Sequence, residues 1–561
     1  MSPPLGSPHS PLGMPGAKEV ARLRRWLVRS CPRSLVLVRL ALGLIVVPAL
    51  LGIVVEQAGS RAMSALWTLL TVLTPGGETA MTQTASLTAA RMRVWNDEVL
   101  PLRVEGRWIL NRHGSRMRLR CVNWYGAHLG ALAAGGLDRQ PLSNIAFTIR
   151  ALGFNCVRLP YSLELQLGLA APPATALRAN LRLLNRSGLE VFDATVAALT
   201  AARLLVVLNN HQGRAMWCCS EDDGEGLWYT EQYPESAWLE SLGSLAARYR
   251  SNGFVIGYDI RNEPRAAPAA AWNRPRSAGG RPERHEDRYV RPHWAGNEGG
   301  NESDWAAAAQ RGALAVLAQD PDALVFVEGL DFATDLSGIR VAGKLHEHPD
   351  LRGHIVYEAH DYCWYHEDFL RAWYLHWICT GWAICLVWEA WWNPGCWRPA
   401  KDGHRSQPSP SSPSGWTSRH GMVSTSASAA MWMTSSSSMR YARVPLLAAI
   451  VVGWCLSCWL SSYAHFKGVL DSKWGFLLES DAAPVWLGEF GTNGIWVTAD
   501  WWMEVGEVTW WRHVLRYIRE NDVDYAYWAL NGDKEGEPET FGLLEADYGT
   551  LQHPWIVEEL P

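Results

Sequence analysis

The sequence predicts an α/β fold in which eight strands and their helices close into a (β/α)8 barrel, carried behind an N-terminal disordered and apolar segment. Three observations predict it. Short apolar runs of β type alternate with Ala/Leu-rich helical stretches, as a parallel sheet requires. The runs number eight, the count that closes such a barrel. And the residues that follow the runs are polar or aromatic, as strand ends opening into a barrel mouth should be.

The first 33 residues are Pro-, Gly- and Arg-rich with no apolar period, and read as a disordered tail. Residues 34–55 read as a signal anchor or transmembrane helix. Their core is the uncharged run Leu40–Val55, preceded by Arg22, Arg24, Arg25, Arg29, Arg33 and Arg39. A positive flank places the N-terminus in the cytosol. The run falls between a signal-peptide core and a full span, and the long stretch before it favours an uncleaved anchor over a cleaved signal or a transit peptide. This reading makes the membrane a partner and puts the rest of the chain in the secretory pathway, lumenal or extracellular. Residues 56–101 form a stalk. Asn185-Arg186-Ser187 and Asn301-Glu302-Ser303 are glycosylation acceptors that agree with this.

From Leu102 to Pro561 the texture is that of the barrel domain. "LRVEGRWILNRHGSRMRLRCVNW" reads as a short hairpin, with its turn at Asn111 to Gly114, leading into a buried strand. The eight runs are Leu119–Asn123, Cys156–Leu159, Leu204–Leu208, Ile256–Ile260, Leu324–Val327, Ile355–Tyr357, Val485–Leu487 and Tyr525–Trp528. Helices such as "SNIAFTIRALG" and "SAWLESLGSLAARYRSNG" lie between them, the latter with a glycine signal at its end.

One interval is anomalous. Positions 355 and 485 are 130 residues apart, and the excess lies at about 370–462. It holds an apolar run, Ala372–Trp388, then a Ser/Pro/Gly-rich segment that composition alone marks as unlikely to fold, then a second apolar run, Pro445–Tyr463. Two readings compete. The runs are a membrane hairpin, whose connecting segment carries Arg398, Lys401, Arg405, Arg419, Arg440 and Arg443 and suits a cytosolic loop. Or the segment is translated non-coding sequence, apolar by accident.

Composition narrows the function. A net charge of −5 with no long basic block argues against a nucleic-acid binder. The 32 tryptophans suit stacking on sugar rings, and equally suit cores and membrane interfaces. The eleven cysteines fit no CxxC metal pattern; a bridge from Cys218 or Cys219 to Cys363 is one open pairing. No HExxH or tight ligand spacing appears, so no metal and no cofactor is expected.

The chemistry centres on "IGYDIRNEPR". Pro264 disfavours helix at the residue before it, so Glu263 is expected extended, at a strand end. Glu489, in "VWLGEFG", ends the seventh run and faces it across the mouth. Paired carboxylates at a barrel mouth are what glycoside hydrolysis needs, one as proton donor and one as nucleophile. Glu328, in "VFVEG", is a candidate substrate contact or a structural ion pair.

The ordered set resembles glycoside hydrolase family 5, the cellulase family. It reads Arg158 in "GFNCVRLPYS", His211 in "LNNHQG", Asn262 and Glu263 in "RNEP", His360 and Tyr362 in "HDY", Glu489 in "GEFG" and Trp528 in "YWALNG". All eight positions match, and "MWCCSEDDGEGLWYT" is similar to the third-strand loop of eukaryotic members. The resemblance implies a retaining mechanism. Glu489 attacks the anomeric carbon, while Glu263 protonates the leaving oxygen and then deprotonates water. Arg158 and Tyr362 donate to Glu489, and Asn262 binds the sugar 2-hydroxyl. His211 and His360 bond within the site and tune Glu263, and Trp528 is the floor under the ring. The expected activity is that of an endo-β-1,4-glucanase acting on β-glucan. A β-glucosidase or glycolipid hydrolase, a β-mannanase, or an inactive carbohydrate-binding membrane protein are the alternatives.

Overall fold

The computed structural model describes residues 99–268, 289–295, 303–392, 439–493, 501–534 and 536–561. The N-terminal tail, the apolar run at Leu40–Val55, nearly all of the stalk, Asn301 and the Ser/Pro-rich middle of the insertion lie outside the described residues.

Eight parallel strands close into a barrel in chain order. They are β1 (Arg120–Asn123), β2 (Cys156–Ser162), β3 (Leu205–Gln212), β4 (Val255–Asp259), β5 (Leu324–Glu328), β6 (Ile355–His360), β7 (Val485–Phe490) and β8 (Asp524–Tyr527). All eight expected runs are strands, with ends moved by up to four residues. The largest shift is in β3, and β2, like it, extends into a polar segment where the apolar signal fades: "PYS" and "NNHQ" pair with their neighbours through the backbone. The outer helices include α1 (Leu142–Ala151), α2 (Gly188–Ala201), α3 (Glu235–Tyr249), α4 (Trp305–Leu317), α5 (Glu367–Trp392), α6 (Met439–Leu460), α7 (Tyr463–Leu470) and α8 (Trp501–Asn521). The glycine signal after α3 goes unused. The helix caps at Arg250, and Asn252 N–H closes onto Tyr249 O at 2.7 Å.

Alternation at period two splits each strand between two cores. One face packs against the helices. The other fills the barrel interior: Cys121, Cys156, Leu205, Val207, Ile256, Leu324, Phe326, Val356, Trp486 and Ala526. Continuing the same alternation upward turns the interior polar. Arg158 stands above Cys156, Asn209 and His211 above Val207, Glu328 above Phe326, and Glu358 and His360 above Val356. The site therefore sits on a floor of apolar side chains, each worth about 1.5–3 kcal/mol when fully buried.

The N-terminal hairpin seals that floor. Its strands are Arg103–Glu105 and Trp108–Leu110, so the turn falls at Gly106–Arg107. The Asn111–Gly114 turn expected from the sequence exists one step later, where a bridge joins Leu110 to Arg116. Leu102, Ile109 and Met117 join the interior core from below.

The two apolar runs of the insertion form a helical hairpin, α5 and α6. Ser457 Oγ donates to Ala372 O at 2.7 Å, and Trp454 Nε1 to Thr380 Oγ1 at 3.3 Å. Gly453 has no side chain where Cys379 Sγ comes within 2.4 Å of an added Cβ, so the helices approach closely. Acidic Glu367 and Asp368 occupy the first turn of α5, where the helix dipole favours them. The root packs on the barrel: Phe369 lies 6.1 Å from Phe466 of α7 and 5.8 Å from His513 of α8, ring to ring. Among the described residues no single helix is long and apolar enough to cross a membrane. Among the same residues, Ala448–Leu460 with Tyr463–Glu479, bent by 54°, passes as a pair.

Candidate active site

Arg158 organises the mouth. Its guanidinium is fully buried, and its donors are spent on six groups. Nε serves Asp259 Oδ2 at 2.9 Å and Glu358 Oε1 at 3.1 Å. Nη1 serves Asn123 Oδ1 at 3.0 Å and Glu489 Oε1 at 2.5 Å. Nη2 serves Asn262 Oδ1 at 2.8 Å and Glu328 Oε1 at 2.9 Å. A planar fork of five donors is the side chain that can do this. Burial and mutual repulsion push the Glu328 and Glu358 carboxyls well up, so they favour holding protons.

Glu489 reaches the mouth because β7 bulges. Trp486 points inward, so simple alternation would turn Glu489 outward. The β6–β7 register slips by one residue, pairing Ala359 with Leu487 but His360 with Glu489. The skipped residue is Gly488, and a Cβ there would lie 1.7 Å from Glu358 Oε1. Gly488 is thus the space that Glu358 fills, and the bulge re-aims the next side chain inward. Tyr362 donates its hydroxyl to Glu489 Oε2 at 3.2 Å.

Glu263 arrives differently from the expectation. β4 ends at Asp259, and Glu263 is not extended: its φ is +46°. Two contacts hold this left-handed backbone, which costs on the order of 1–3 kcal/mol. Its N–H donates to Glu328 Oε2 at 2.6 Å, and its C=O accepts from Arg265 Nη1 at 2.9 Å. These override the preference that Pro264 imposes. Its carboxylate meets His360 Nδ1 at 3.0 Å. Burial pushes the Glu263 carboxyl up to about 7, against the pull of Arg265 and Arg158. Burial raises Glu489 as well, opposed by His360 and Arg158. Of the two, Glu489 takes the direct charged hydrogen bond and Glu263 does not, so the ionised form is better supported at Glu489. Ligand atoms of Glu263, His360 and Glu489 lie within 4.8 Å of one another.

All eight residues expected at the site gather at one end of the barrel, though His211 does other work than expected. His360 touches Glu263 as foreseen, and its Nε2 meets Glu358 Oε1 at 3.3 Å; burial lowers it to about 4 and keeps the ring neutral. His211 does not contact Glu263. Its Nδ1 binds Asn209 Oδ1 at 2.7 Å and its Nε2 faces Cys218 Sγ at 3.3 Å. Burial lowers His211 too, with His128 and Arg158 adding to the effect. Trp528 is half-buried and stacks on Tyr125, centroids 5.1 Å apart and planes 8° from parallel. Glu328 is a buried ion-pair partner; both its oxygens are engaged, which leaves none for substrate. Cys218 is bonded to Cys219, so neither reaches Cys363, which is free. A second disulfide joins Cys121 to Cys156 inside the barrel.

Asp259, Glu358, Tyr125 and Trp217 are site residues that the sequence reading passed over. Counting back two positions from His360 would have found Glu358. Tyr125 and Trp217 lie in loops, where no period points at them. Trp217 meets Tyr125 edge-on at 5.4 Å and carries Lys534 Nζ 3.8 Å over its ring. On the opposite side Trp364, 52% exposed, stacks on Tyr362 at 4.4 Å.

Residues 121–380 match the family model described as Cellulase (glycosyl hydrolase family 5). A "Glycosyl hydrolase 5 family protein" of Chamaecyparis obtusa is 32% identical over 47% of this chain, and the match spans 44% of that protein. An "Endoglucanase" of Paenibacillus polymyxa is 23% identical over 80% of this chain and 84% of its own length. An endocellulase from Pyrococcus horikoshii, solved with cellotetraose, superposes with a TM-score of 0.53 at 19% identity, over 83% of this chain and 98% of that one. At that identity the likeness speaks to the fold.

Proposed function

We propose, from a chain whose residues 121–380 belong to glycosyl hydrolase family 5, that the barrel is a retaining glycosidase acting on β-glucosidic bonds of a polysaccharide, an endo-β-1,4-glucanase first of all. The observation that carries this is the asymmetry of the two buried glutamates. Their oxygens approach within 4.8 Å, which suits the ~5–5.5 Å spacing of carboxyls in retaining enzymes rather than the ~6.5–9.5 Å of inverting ones. One is held by Arg158 and Tyr362; the other is buried against a neutral histidine.

Glu489, aimed by those two donors, attacks the anomeric carbon. Glu263, protonated near neutral pH, gives its proton to the leaving oxygen and takes one from the incoming water. Asn262 offers Nδ2 to the sugar, since its Oδ1 is fixed by Arg158. His360 joins Glu263 to Glu358 and steadies the acid. Trp528, braced by Tyr125, supplies a flat surface for the ring. The endoglucanase names among the relatives, and the cellotetraose bound to the Pyrococcus horikoshii enzyme, support glucan as the substrate.

The test is a product profile on cellulose, mixed-linkage glucan, mannan and glucosylceramide, with trapping by a 2-deoxy-2-fluoro glycoside. The expected outcome is short glucan oligomers, and a mass increase on the peptide containing Glu489. A label on any other peptide, or an inverted first product, ends the retaining assignment.

A further inference from the structure

Two buried polar groups at the mouth lack a strong partner. Asn262, 1% exposed, has its Oδ1 accept from Arg158, and among the described residues its Nδ2 meets only Cys219 Sγ, at 3.6 Å. His211, 3% exposed, has Nδ1 bonded to Asn209 Oδ1, so in the neutral ring that nitrogen carries the proton and Nε2 is a bare acceptor. That acceptor faces Cys218 Sγ at 3.3 Å. A donor and an acceptor therefore stand side by side against one disulfide, and divalent sulfur is a weak partner for either.

The disulfide is held in place with care. Cys219 has φ +93°, which few residues with a side chain adopt. Asp223 Oδ2 accepts the Cys219 and Ser220 N–H groups at 2.8 and 3.0 Å. Arg265 Nη2 donates to the same oxygen at 2.6 Å, Arg265 Nε to Ser220 O at 3.2 Å, and Nη1 to the Glu263 carbonyl. One guanidinium thus ties the cysteine pair to the backbone of the acid. The sulfurs are half-buried, beside Trp217. His211, Cys218 and Cys219 lie close enough together to suggest a metal, but sulfurs bonded to each other have no thiolate to give.

We propose that the Cys218–Cys219 disulfide is a sugar-contacting element of the cleft: an apolar wall that positions the 2-hydroxyl edge of the ring at Glu489, so that Asn262 Nδ2 and His211 Nε2 share that hydroxyl as donor and acceptor. It rests on the glucosidase reading above. A bonded pair suits the task because it offers no competing donor. Two serines would satisfy both groups before the sugar arrived, and two alanines would leave a gap for water.

The test compares wild type with C218S/C219S and C218A/C219A on 4-nitrophenyl β-cellobioside and on its analogue lacking the 2-hydroxyl of the ring next to the aryl group. Both variants are expected to lose about tenfold or more in kcat/KM on the parent, the worth of one hydrogen bond at the strong end, and little on the analogue. Equal losses on both substrates, or no loss on either, overturn the proposal; equal losses mean the disulfide only shapes the loop. Unreduced protein treated with iodoacetamide should show no label at these two cysteines, and labelling of both overturns it as well. A wild type that cleaves neither substrate defeats the glucosidase reading and this inference with it, which separates that failure from the others. If the variants do not fold, the same ratio is read on wild type after mild reduction, from which the fully buried Cys121–Cys156 bond is shielded.

Discussion

Glu263 shows at the scale of one residue how catalytic competence and stability oppose each other. Its carboxyl sits near 7 in the fold against an ordinary 4.5. A raised carboxyl favours the fold at low pH, and that advantage is lost as pH climbs from about 4.5 to about 7. The loss is about 3 kcal/mol, from about 1.4 kcal/mol per pKa unit. Glu263→Gln removes the titration. Urea melts should find the variant more stable than wild type by about that amount at pH 8 and little different at pH 4, while kcat falls by about 10²–10⁴-fold on poor leaving groups. In wild type the same group should set the alkaline limb of kcat/KM near pH 7. Arg158 makes the reverse case. Arg158→Met leaves Asp259, Glu328, Glu358 and Glu489 without their shared cation, and should cost about 3–5 kcal/mol at pH 8. The penalty should shrink at pH 5, as the carboxyls take up protons.

At the scale of the element, β7 is the strand that sequence could place but not orient. The apolar run Val485–Leu487 is legible, and so is the acid two residues beyond it. The bulge at Gly488 is not, because it depends on Glu358 arriving from β6, over a hundred residues away in the chain. Gly488→Ala should lower stability by about 1–3 kcal/mol, and displacement of Glu489 should cost about 10²-fold in kcat. Glu358→Ala in the same chain should restore part of both, read by thermal melting and by turnover. The left-handed turn at Glu263 escaped for a similar reason: local preference at a residue before proline points one way, and Glu328 and Arg265 overrule it from elsewhere. By contrast the eight strands and the order of site residues along them were legible, because each rests on a local apolar run and the polar group at its end. The α5–α6 hairpin was visible as two apolar runs, but not its seat. Its feet meet at Ala372 and Ser457, so replacing residues 375–454 with a short linker should leave the melting temperature and hydrolysis intact. It should also remove the exposed Ile378, Trp382, Val451 and Val452, and with them any self-association that size-exclusion chromatography detects.

For the whole molecule, the barrel divides its labour along its axis. Apolar layers and the Cys121–Cys156 bond make the lower half, and ionisable groups make the upper half. The helices hold the outer face and contribute no side chain to the Arg158 network, whose members come from strands and the turns just above them. The plug formed by Leu102, Ile109 and Met117 has a consequence for traffic. Among the described residues, a vessel sealed at its base opens at its other end, and substrate, water and product must use that opening in turn. On the proposed mechanism, the proton that Glu263 gives to a departing sugar is replaced by a water that enters past what is still bound. Clearing the doorway is therefore what rearms the acid. Added product should raise KM and leave kcat unchanged, a pattern that initial rates at several cellobiose concentrations would reveal.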